Sequence, residues 1–235
     1  MTTSVGTPAD RSLAVSRAHP GVLWTHHDSQ GDSALFAIDS TGSLIGRVRV
    51  AGATNRDWED IAVGPCEPDA STSCIFIGDI GDNSERRDAI VVYRIPEPDP
   101  RTDTTSAAAD RLEAAYPDHP RDAEALYVTR AGIHIVTKGR SGSIELFRLA
   151  PPYRTDRTAS LARVQQVAPP PTSVSAQVTA AAATVDGGTI AIRTYSGLRF
   201  FEPHADTLRP LGIPADFFGP AQAQGEGVDF LDSTG

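Results

Sequence analysis

The sequence predicts an all-β fold of the β-propeller type, built from four-stranded antiparallel blades. Short apolar runs bounded by Gly, Pro, Asp and Ser fill the chain, whereas helical periodicity is almost absent. A segment in which a strand opens behind a small or acidic turn also recurs, and recurrence at this scale is typical of propellers and solenoids. The four copies of this segment occupy residues 57–63, 122–128, 178–184 and 225–230.

The predicted architecture is a single domain over residues 1–235, with four complete blades and the start of a fifth. A lone fifth strand leaves a propeller open, so we expect the chain to end before its natural fold does; four blades with a stray strand are the alternative. The complete blades are expected over about residues 11–52, 57–117, 122–168 and 178–214, and the incomplete one over 225–235.

Each blade is predicted from its own succession of strands. The third strand of every complete blade carries an aromatic residue, which we expect to pack between neighbouring blades. In the first blade the predicted strands are residues 12–16, 22–26, 34–39 and 44–50. In the second blade the first strand opens at residue 59, and the others are 74–78, 89–95 and 111–116. The strands of the third blade are 123–128, 133–137, 144–149 and 161–167. Those of the fourth blade are 179–185, 189–193, 198–201 and 208–213.

Composition and charge argue against several classes of function. The net charge is −9 and no run rich in Lys or Arg interrupts it, so binding to nucleic acid or anionic lipid is not expected. No stretch approaches the roughly 20 apolar residues that span a bilayer, so we expect no membrane insertion. Nucleophile-elbow, P-loop, zinc-protease and dinucleotide-binding motifs are absent from the sequence. We expect a monomer.

The two cysteines indicate a compartment. Cys66 and Cys74 flank a Pro/Asp/Ser-rich loop and are expected opposite each other at the base of a hairpin, within disulfide reach. A disulfide favours an extracellular or cell-envelope location, although the first ten residues do not resemble a secretory signal. Two free thiols in a cytoplasmic protein are the alternative.

Carboxylates recur at the starts of the repeated segments. Glu59, Glu124 and Glu226 stand at matching positions, and Ala180 stands at the same position of the remaining segment. The innermost strands of a propeller bring such positions toward one axis. Converging carboxylates repel one another unless a cation joins them, and oxygen ligands suit Ca²⁺ or Mg²⁺. We therefore expect a metal site, with Ca²⁺ as the ion. The alternative is that these acids only bind backbone N–H groups or arginines of neighbouring blades.

A second polar cluster follows the second strand of the second blade. Residues 78–83 read Gly-Asp-Ile-Gly-Asp-Asn, in which Asp79, Asp82 and Asn83 present oxygen atoms close together. This pattern fits a cation loop or a contact with a sugar-like ligand. Ordinary turn chemistry of Asp and Asn explains it equally well.

The same level of the other blades supplies candidate catalytic and ligand-binding residues. His26 or His27, together with Asp28, is a candidate general base because histidine transfers protons near neutral pH. A hydrogen-bonded structural histidine is the alternative. Ligand contacts are expected from the corresponding ends of the third and fourth blades, at Lys138, Arg193 and Tyr195.

Several of these segments resemble a group of bacterial, largely actinobacterial, exported β-propeller proteins without a settled activity. The most specific are Asp-Trp-Glu-Asp-Ile at residues 57–61 and Gly-Asp-Ile-Gly-Asp-Asn at residues 78–83, and the resemblance covers nearly the whole chain. This chain departs from the group at His27, where asparagine is usual, and the group continues past the Gln-Gly-Glu segment. A looser similarity links the group to calcium-dependent propeller lactonases and phytase-like esterase propellers, whose channel carboxylates hold the metal.

The leading hypothesis is therefore a metal-binding propeller, a hydrolase of the lactonase or esterase kind that acts on a small polar ligand at the channel mouth. The alternative is a non-catalytic propeller that binds a glycan or protein partner on its rim.

Overall fold

A computed structural model describes residues 12–27, 31–101, 103–212 and 227–231. The first two sheets are formed by the first half of the chain. Sheet 1 contains β1 (Leu13–Val15), β2 (Leu23–His26), β3 (Ala34–Ile38) and β4 (Leu44–Arg49). Sheet 2 contains β5 (Trp58–Pro65), β6 (Ser73–Asp79) and β7 (Ile90–Pro96); β8 (Thr104–Thr105) follows in the chain and joins sheet 1, and β9 (Asp110–Ala115) completes sheet 2.

The second half of the chain repeats this plan. Sheet 3 contains β10 (Ala123–Thr129), β11 (Gly132–Thr137) and β12 (Ile144–Leu149); β13 (Ala159–Ser160) joins sheet 2, and β14 (Ala162–Ala168) completes sheet 3. After a 3-10 turn at Val174–Ala176, sheet 4 contains β15 (Val178–Ala183), β16 (Ile190–Thr194), β17 (Gly197–His204) and β18 (Thr207–Pro210). The all-β prediction and its four successive antiparallel units are confirmed.

The first strands of the four sheets lie side by side in chain order. β1 contacts β5, β5 contacts β10 and β10 contacts β15, and the later strands of each sheet lie progressively further out. β10 and β15 are buried along nearly their whole length, which explains why they are apolar on both faces instead of alternating. This radial order of four meanders is propeller-like.

Three apolar cores fill the spaces between successive sheets. Trp24, Trp58 and Tyr93 lie between sheets 1 and 2, and Phe76 and Phe147 lie between sheets 2 and 3. A third core, between sheets 3 and 4, contains Tyr127, Ile190 and Phe201. The third-strand aromatics Tyr93, Phe147 and Phe201 therefore pack between sheets as predicted. The prediction is wrong for Phe36 of β3, which is only partly buried and packs against the ring of His27.

Two loops connect neighbouring sheets at their outer edges. β8 lies in the loop between β7 and β9 but pairs in parallel with β4, and β13 lies in the loop after β12 but pairs in parallel with β9. Each short strand covers an edge that would otherwise expose unpaired backbone groups. Between sheets 3 and 4 a side chain has this role, because the amide of Gln165 binds the backbone N–H and C=O of Leu208 at 2.7 and 3.2 Å. The sequence did not predict β8 or β13.

A β-bulge begins the first strand of sheets 2, 3 and 4. In sheet 2, Trp58 lies opposite Asp79 and Asp60 lies opposite Gly78, so that Glu59 is the extra residue. The register of sheet 3 makes Glu124 the extra residue, and the register of sheet 4 makes Thr179 the extra residue. The sequence comparison aligned Ala180 with the two glutamates, which is one residue too late.

The predicted disulfide is present. Cys66 and Cys74 are bonded, with their Cα atoms 4.8 Å apart, where β5 and β6 meet in a hairpin. Within the described ranges, the structure contains no helix with the length and hydropathy of a membrane span.

Asp60 joins all four sheets. Its side chain is buried at 1% exposure, and its Oδ1 accepts from the hydroxyl of Ser12, next to β1, and from its own neighbour Ile61 N–H at 2.9 Å. Its Oδ2 accepts the N–H of Leu126 on β10 at 2.8 Å and the N–H of Ala181 on β15 at 3.2 Å. Burial raises the pKa of Asp60 to about 8, against the opposing effect of these hydrogen bonds.

Residues 227–231 lie between sheet 4 and sheet 1. Arg193 of β16 donates to the carbonyl of Gly227 at 2.8 Å, and the N–H of Val15 on β1 donates to the carboxylate of Asp229 at 2.6 Å. Phe230 packs near Phe200 of β17, with ring centroids 6.3 Å apart. The described part of the fourth repeated segment therefore contacts both sheet 4 and sheet 1.

We expect Asp60→Ala to destabilise the protein strongly. The substitution leaves three buried N–H groups, those of Ile61, Leu126 and Ala181, without an acceptor, at a cost of at least about 3 kcal/mol in the free energy of unfolding. Asp60→Asn keeps one acceptor oxygen, so its loss should be smaller. Urea denaturation of both variants measures these losses, with Asp69→Asn at an exposed position as the control. Equal midpoints for Asp60→Ala and the control would contradict the prediction.

Candidate functional site

The fold has two faces that bear on function. The upper mouth is the face where β5, β10 and β15 begin and β6, β11 and β16 end. The lower mouth is the opposite face, which carries the hairpins that join the first and second strands of each sheet. Sequence reasoning placed every candidate residue at the upper mouth.

The predicted metal ligands of the segment after β6 are engaged by protein donors. Asp79 forms a buried ion pair with Arg87, Nη1 to Oδ1 2.8 Å. The carboxylate of Asp82 accepts the N–H groups of Arg86 and Arg87, both at 2.6 Å, and the side chain of Asn83 accepts from Arg140. These contacts fix the turn that follows β6.

The bulge glutamates differ in their surroundings. Glu124 of β10 pairs with Lys138, at the end of β11. Glu59 of β5 lies with Asp57 against Gly81, where a Cβ atom would collide with both carboxylates, so that a larger residue at this position requires these side chains to shift. Glu226 lies outside the described residues.

These acids do not fit a Ca²⁺ site as they are arranged. A calcium ion takes six to eight oxygen ligands, whereas the oxygens of Asp79, Asp82 and Glu124 are already bound to an arginine, to backbone N–H groups and to a lysine. Among the residues that the structure describes, no group of three His, Cys, Asp or Glu side chains is placed to hold a metal ion. The carboxylates of Asp57 and Glu59 lie near each other, because both approach Gly81.

The candidate histidines pack against aromatic rings. His26 is buried at 1% exposure, meets Trp58 edge-on at 5.6 Å between centroids, and places its Nδ1 2.9 Å from the carbonyl of His27. His27 meets the ring of Phe36 at 4.7 Å. Asp28 falls outside the described residues.

Lys138 and Tyr195 directly follow β11 and β16, at equivalent ends of these strands. Burial acts to lower the pKa of Lys138, but the charge and hydrogen bond of Glu124 outweigh it and hold that pKa above its ordinary value. Arg193 lies two residues before Tyr195 and binds the carbonyl of Gly227. Lys138 and Arg193 thus each hold a protein partner.

A large cavity opens at the lower mouth, where no candidate residue was predicted. It has a volume of about 750 Å³ and lies chiefly between sheets 3 and 4, and we call it the lower cavity. Small-molecule sites typically have volumes of this order. Part of its wall is formed by Tyr127, His134, Leu146, Arg148, Ile190 and Leu208.

A row of three side chains crosses sheet 3 at this wall. Tyr127 of β10, His134 of β11 and Arg148 of β12 are direct register partners. The rings of Tyr127 and His134 are stacked, with centroids 4.5 Å apart and planes 3° from parallel. The Nη1 of Arg148 reaches Asp206 at 3.1 Å, whereas the buried Nε of Arg148 and the buried Nδ1 of His134 have no hydrogen-bond partner in the described part of the chain.

The row is also unusual electrostatically. Burial, together with the charge of Arg148, lowers the pKa of His134 to about 4 against the opposing effect of a hydrogen bond with the backbone of Gly132, so the imidazole is neutral at physiological pH. Burial raises the pKa of the Tyr127 hydroxyl well above its usual range. Perturbed titratable groups in a cavity are a feature of functional sites. In the sequence, the signs of this site were a histidine inside an apolar strand and an arginine in the next strand. Only the register of β11 and β12 shows that the two residues are neighbours.

Comparisons with known proteins identify no family. No family model and no curated protein matches the chain. Among solved structures, the chain is similar to the PQQ-bound aldose sugar dehydrogenase of Streptomyces coelicolor, with 13% identity, coverage of 96% of this chain and 86% of that one, and a TM-score of 0.49.

It is also similar to the periplasmic gluconolactonase of Pseudomonas aeruginosa, with 15% identity, coverage of 92% and 59%, and a TM-score of 0.44. A protein from Lactobacillus plantarum shares 13% identity over 90% of this chain and 72% of its own, with a TM-score of 0.46. Identities and TM-scores at this level transfer no activity to the chain.

We expect His134 to make stability fall on acidification. Its pKa is about 4 in the folded state and about 6.5 when unfolded, so only the unfolded state takes up this proton between those values. The stabilisation is complete above pH 6.5 and is lost as the pH falls toward 4, by about 3 kcal/mol in total. Urea denaturation from pH 7 to 4 measures it as the difference between the wild type and His134→Gln.

The stability difference between the wild type and His134→Gln must be measured, because the titration of Asp60 changes the stability of both proteins in the opposite direction. A carboxyl whose pKa is raised to about 8 loses stabilisation as the pH increases from about 4 to 8. His119→Gln, at a ring that is 64% exposed, is the matched control and should follow the wild type at every pH. A constant difference between wild type and His134→Gln would show that His134 titrates normally.

Proposed function

We propose that this chain is a β-propeller binding protein that takes a small ligand in the lower cavity. The observation that carries the proposal is the row of Tyr127, His134 and Arg148 at the wall of a cavity of about 750 Å³, in which burial lowers the pKa of His134. The few polar groups and the apolar wall match the general make-up of ligand sites.

In this proposal the charges of the upper mouth hold the fold together. The pairs Asp79–Arg87 and Glu124–Lys138 are both largely buried. The first joins the end of β6 to the loop that follows it, and the second joins the beginning of β10 to the end of β11. Removing one member of a buried pair is strongly destabilising, so such pairs are poorly suited to release a ligand or a metal. The acids of the repeated segment are then structural, which is the alternative that the sequence left open.

We also propose that the fold is of the five-bladed type. Residues 227–231 then mark the inner strand of the fifth blade, because they bind β16 on one side and β1 on the other. The disulfide between Cys66 and Cys74 supports an extracellular or cell-envelope location.

The binding proposal is tested by filling the cavity. Ala131 is exposed and lines the lower cavity, so Ala131→Trp should obstruct it without disturbing the core. A library of small soluble fragments, followed by ligand-observed NMR and by the His134 ring signals, is expected to give ligands that bind the wild type. Their affinity should fall at least about tenfold in Ala131→Trp, the loss of about 1.4 kcal/mol of contact.

Ala108→Trp places the same side chain at an exposed position away from the cavity and is the control. Fragments that bind Ala131→Trp as well as they bind Ala108→Trp would place their site elsewhere. A library without any fragment that shifts the His134 signals would overturn the proposal.

A calcium-dependent hydrolase of the lactonase or esterase kind is the second candidate, favoured by the placement of Asp57 and Glu59 together at Gly81. On this candidate, Ca²⁺ binds the upper mouth and raises the thermal midpoint of the wild type, and Glu59→Gln abolishes both effects. Calorimetric titration of chelator-treated protein measures the binding, with the exposed Glu202→Gln as control. No heat of binding together with an unchanged midpoint would remove the candidate.

A further inference from the structure

The two short strands β8 and β13, which we call the straps, cover the outer edges of sheets 1 and 2 in the same way. β8 pairs in parallel with the last two residues of β4, and β13 pairs in parallel with the last two residues of β9. Directly after β8, the N–H of Ser106 donates to the carbonyl of Arg49 at 2.9 Å. Directly after β13, the N–H of Leu161 donates to the carbonyl of Ala115, also at 2.9 Å.

Each strap also helps to close the crevice between two sheets. Leu161 is buried at 1% exposure in the core between sheets 2 and 3. Behind β8, Ala109 packs against the core between sheets 1 and 2, and its N–H donates to the carbonyl of Ala51 at 2.8 Å. A strap therefore supplies main-chain hydrogen bonds to a strand edge and an apolar side chain to the core behind that edge.

The equivalent edge of sheet 3 has no strap in the described part of the chain. There, β12 is the only strand that pairs with the outer strand β14. A strap would come from the connection between β17 and β18, which consists of Ala205 and Asp206 alone. At the end of β14, Val167 is the extra residue of a β-bulge, so its backbone groups take no part in the ladder with β12. This strand end is therefore open to pairing.

A groove lies where a strap of sheet 3 would lie. Its volume is about 680 Å³, and it is bounded by the end of β14, by the three prolines at positions 169–171 and by sheet 4; we call it the edge groove. Its wall includes the apolar side chains of Val167, Ile192 and Phe201. Sites for drug-sized ligands have volumes of about 300–1,000 Å³, so the edge groove can hold a few residues of an extended peptide.

We propose that the edge groove binds an extended segment of a partner polypeptide. The segment adds a short parallel strand to the end of β14 and inserts an apolar side chain between sheets 3 and 4. Main-chain hydrogen bonds give such strand addition its affinity, and pockets for the side chains give it specificity. The edge groove shares no lining residue with the lower cavity, so this site is independent of the proposed binding function.

The two straps indicate the chemistry of the segment. Small or hydroxyl-bearing residues form the paired part in both, Thr104–Thr105 in β8 and Ala159–Ser160 in β13. In β13 the next residue is the buried Leu161. We therefore expect a segment with two small or hydroxyl-bearing residues followed by a large apolar one, which β13 itself exemplifies.

The probe is the capped hexapeptide Arg-Thr-Ala-Ser-Leu-Ala, which copies residues 157–162. In an NMR titration of the isotope-labelled protein, it is expected to shift the amide signals of Val167 and Ala168, with a Kd of about 1 mM or tighter. Aspartate in place of the leucine should weaken binding at least about tenfold, because a charged group loses solvation against an apolar wall. Methylation of the leucine N–H removes a main-chain donor and should weaken binding at least about threefold.

A variant of the protein tests whether the edge groove is the site. Thr172 is exposed and lines the groove, so Thr172→Trp should obstruct it without disturbing the core, and the affinity for the hexapeptide should fall at least about tenfold. Thr155→Trp places the same side chain at an exposed position outside the groove and should keep the affinity within about twofold. Equal thermal midpoints of the two variants exclude a folding defect as the cause.

Several results would overturn the proposal. Among them are the absence of shifts at the end of β14, equal affinity of the hexapeptide and its aspartate counterpart, and equal affinity of the wild type and Thr172→Trp. Shifts confined to Ala114 and Ala115 would show that the peptide only replaces β13. A concentration-dependent dimer that Thr172→Trp abolishes would assign the groove to a second copy of the chain instead of a partner.

Discussion

A single carboxyl group, that of Asp60, accepts hydrogen bonds that a radial arrangement of sheets leaves unsatisfied at its centre. Inner strands that lie side by side without pairing leave some of their N–H groups directed toward the neighbouring inner strand. Neither water nor a regular ladder supplies these N–H groups with an acceptor. Asp60 accepts two of these N–H groups, from β10 and β15, and accepts a hydroxyl next to β1 with its other oxygen. Four sheets that share no ladder in the described chain are thereby held in one relative position.

The β-bulges follow from this constraint. In sheets 2, 3 and 4 the extra residue precedes the position that faces the centre, and it turns the inner strand so that the next residues reach Asp60. At the upper mouth Glu124 pairs with Lys138, and Glu59 lies against Gly81. Sheet 4 has Thr179 and a run of small residues instead, and the charges of the upper mouth are for this reason unevenly distributed among the sheets.

The sequence specifies the strands well because their signals are local. Runs such as Ile90–Pro96 are apolar, β-branched and bounded by turns, and the cysteines stand at a hairpin whose ends must meet. Register is less well specified. Four consecutive alanines, from Ala180 to Ala183, give no side-chain contrast to fix it, which explains why Thr179 and not Ala180 is the equivalent of Glu59. The two-residue strands β8 and β13 are too short to carry any pattern.

The candidate site was harder to predict because it is defined across strands. No short sequence motif links Tyr127, His134 and Arg148. Only the antiparallel pairing of β10, β11 and β12 places them in one row. The acidic motifs of the upper mouth were conspicuous in the sequence because a turn that must bind several N–H groups needs Asp and Asn, as Asp82 shows.

The two mouths therefore differ in how their charge is balanced. At the upper mouth the acids Asp79 and Glu124 are each matched by a cation of the same chain, in buried pairs that give the structure rigidity. At the lower mouth the acids Asp186 and Asp206 bind exposed loop groups and Arg148, and the row of Tyr127, His134 and Arg148 borders an open cavity. Rigid buried pairs at one mouth and an open cavity at the other are the physical reason to look for a ligand at the lower mouth.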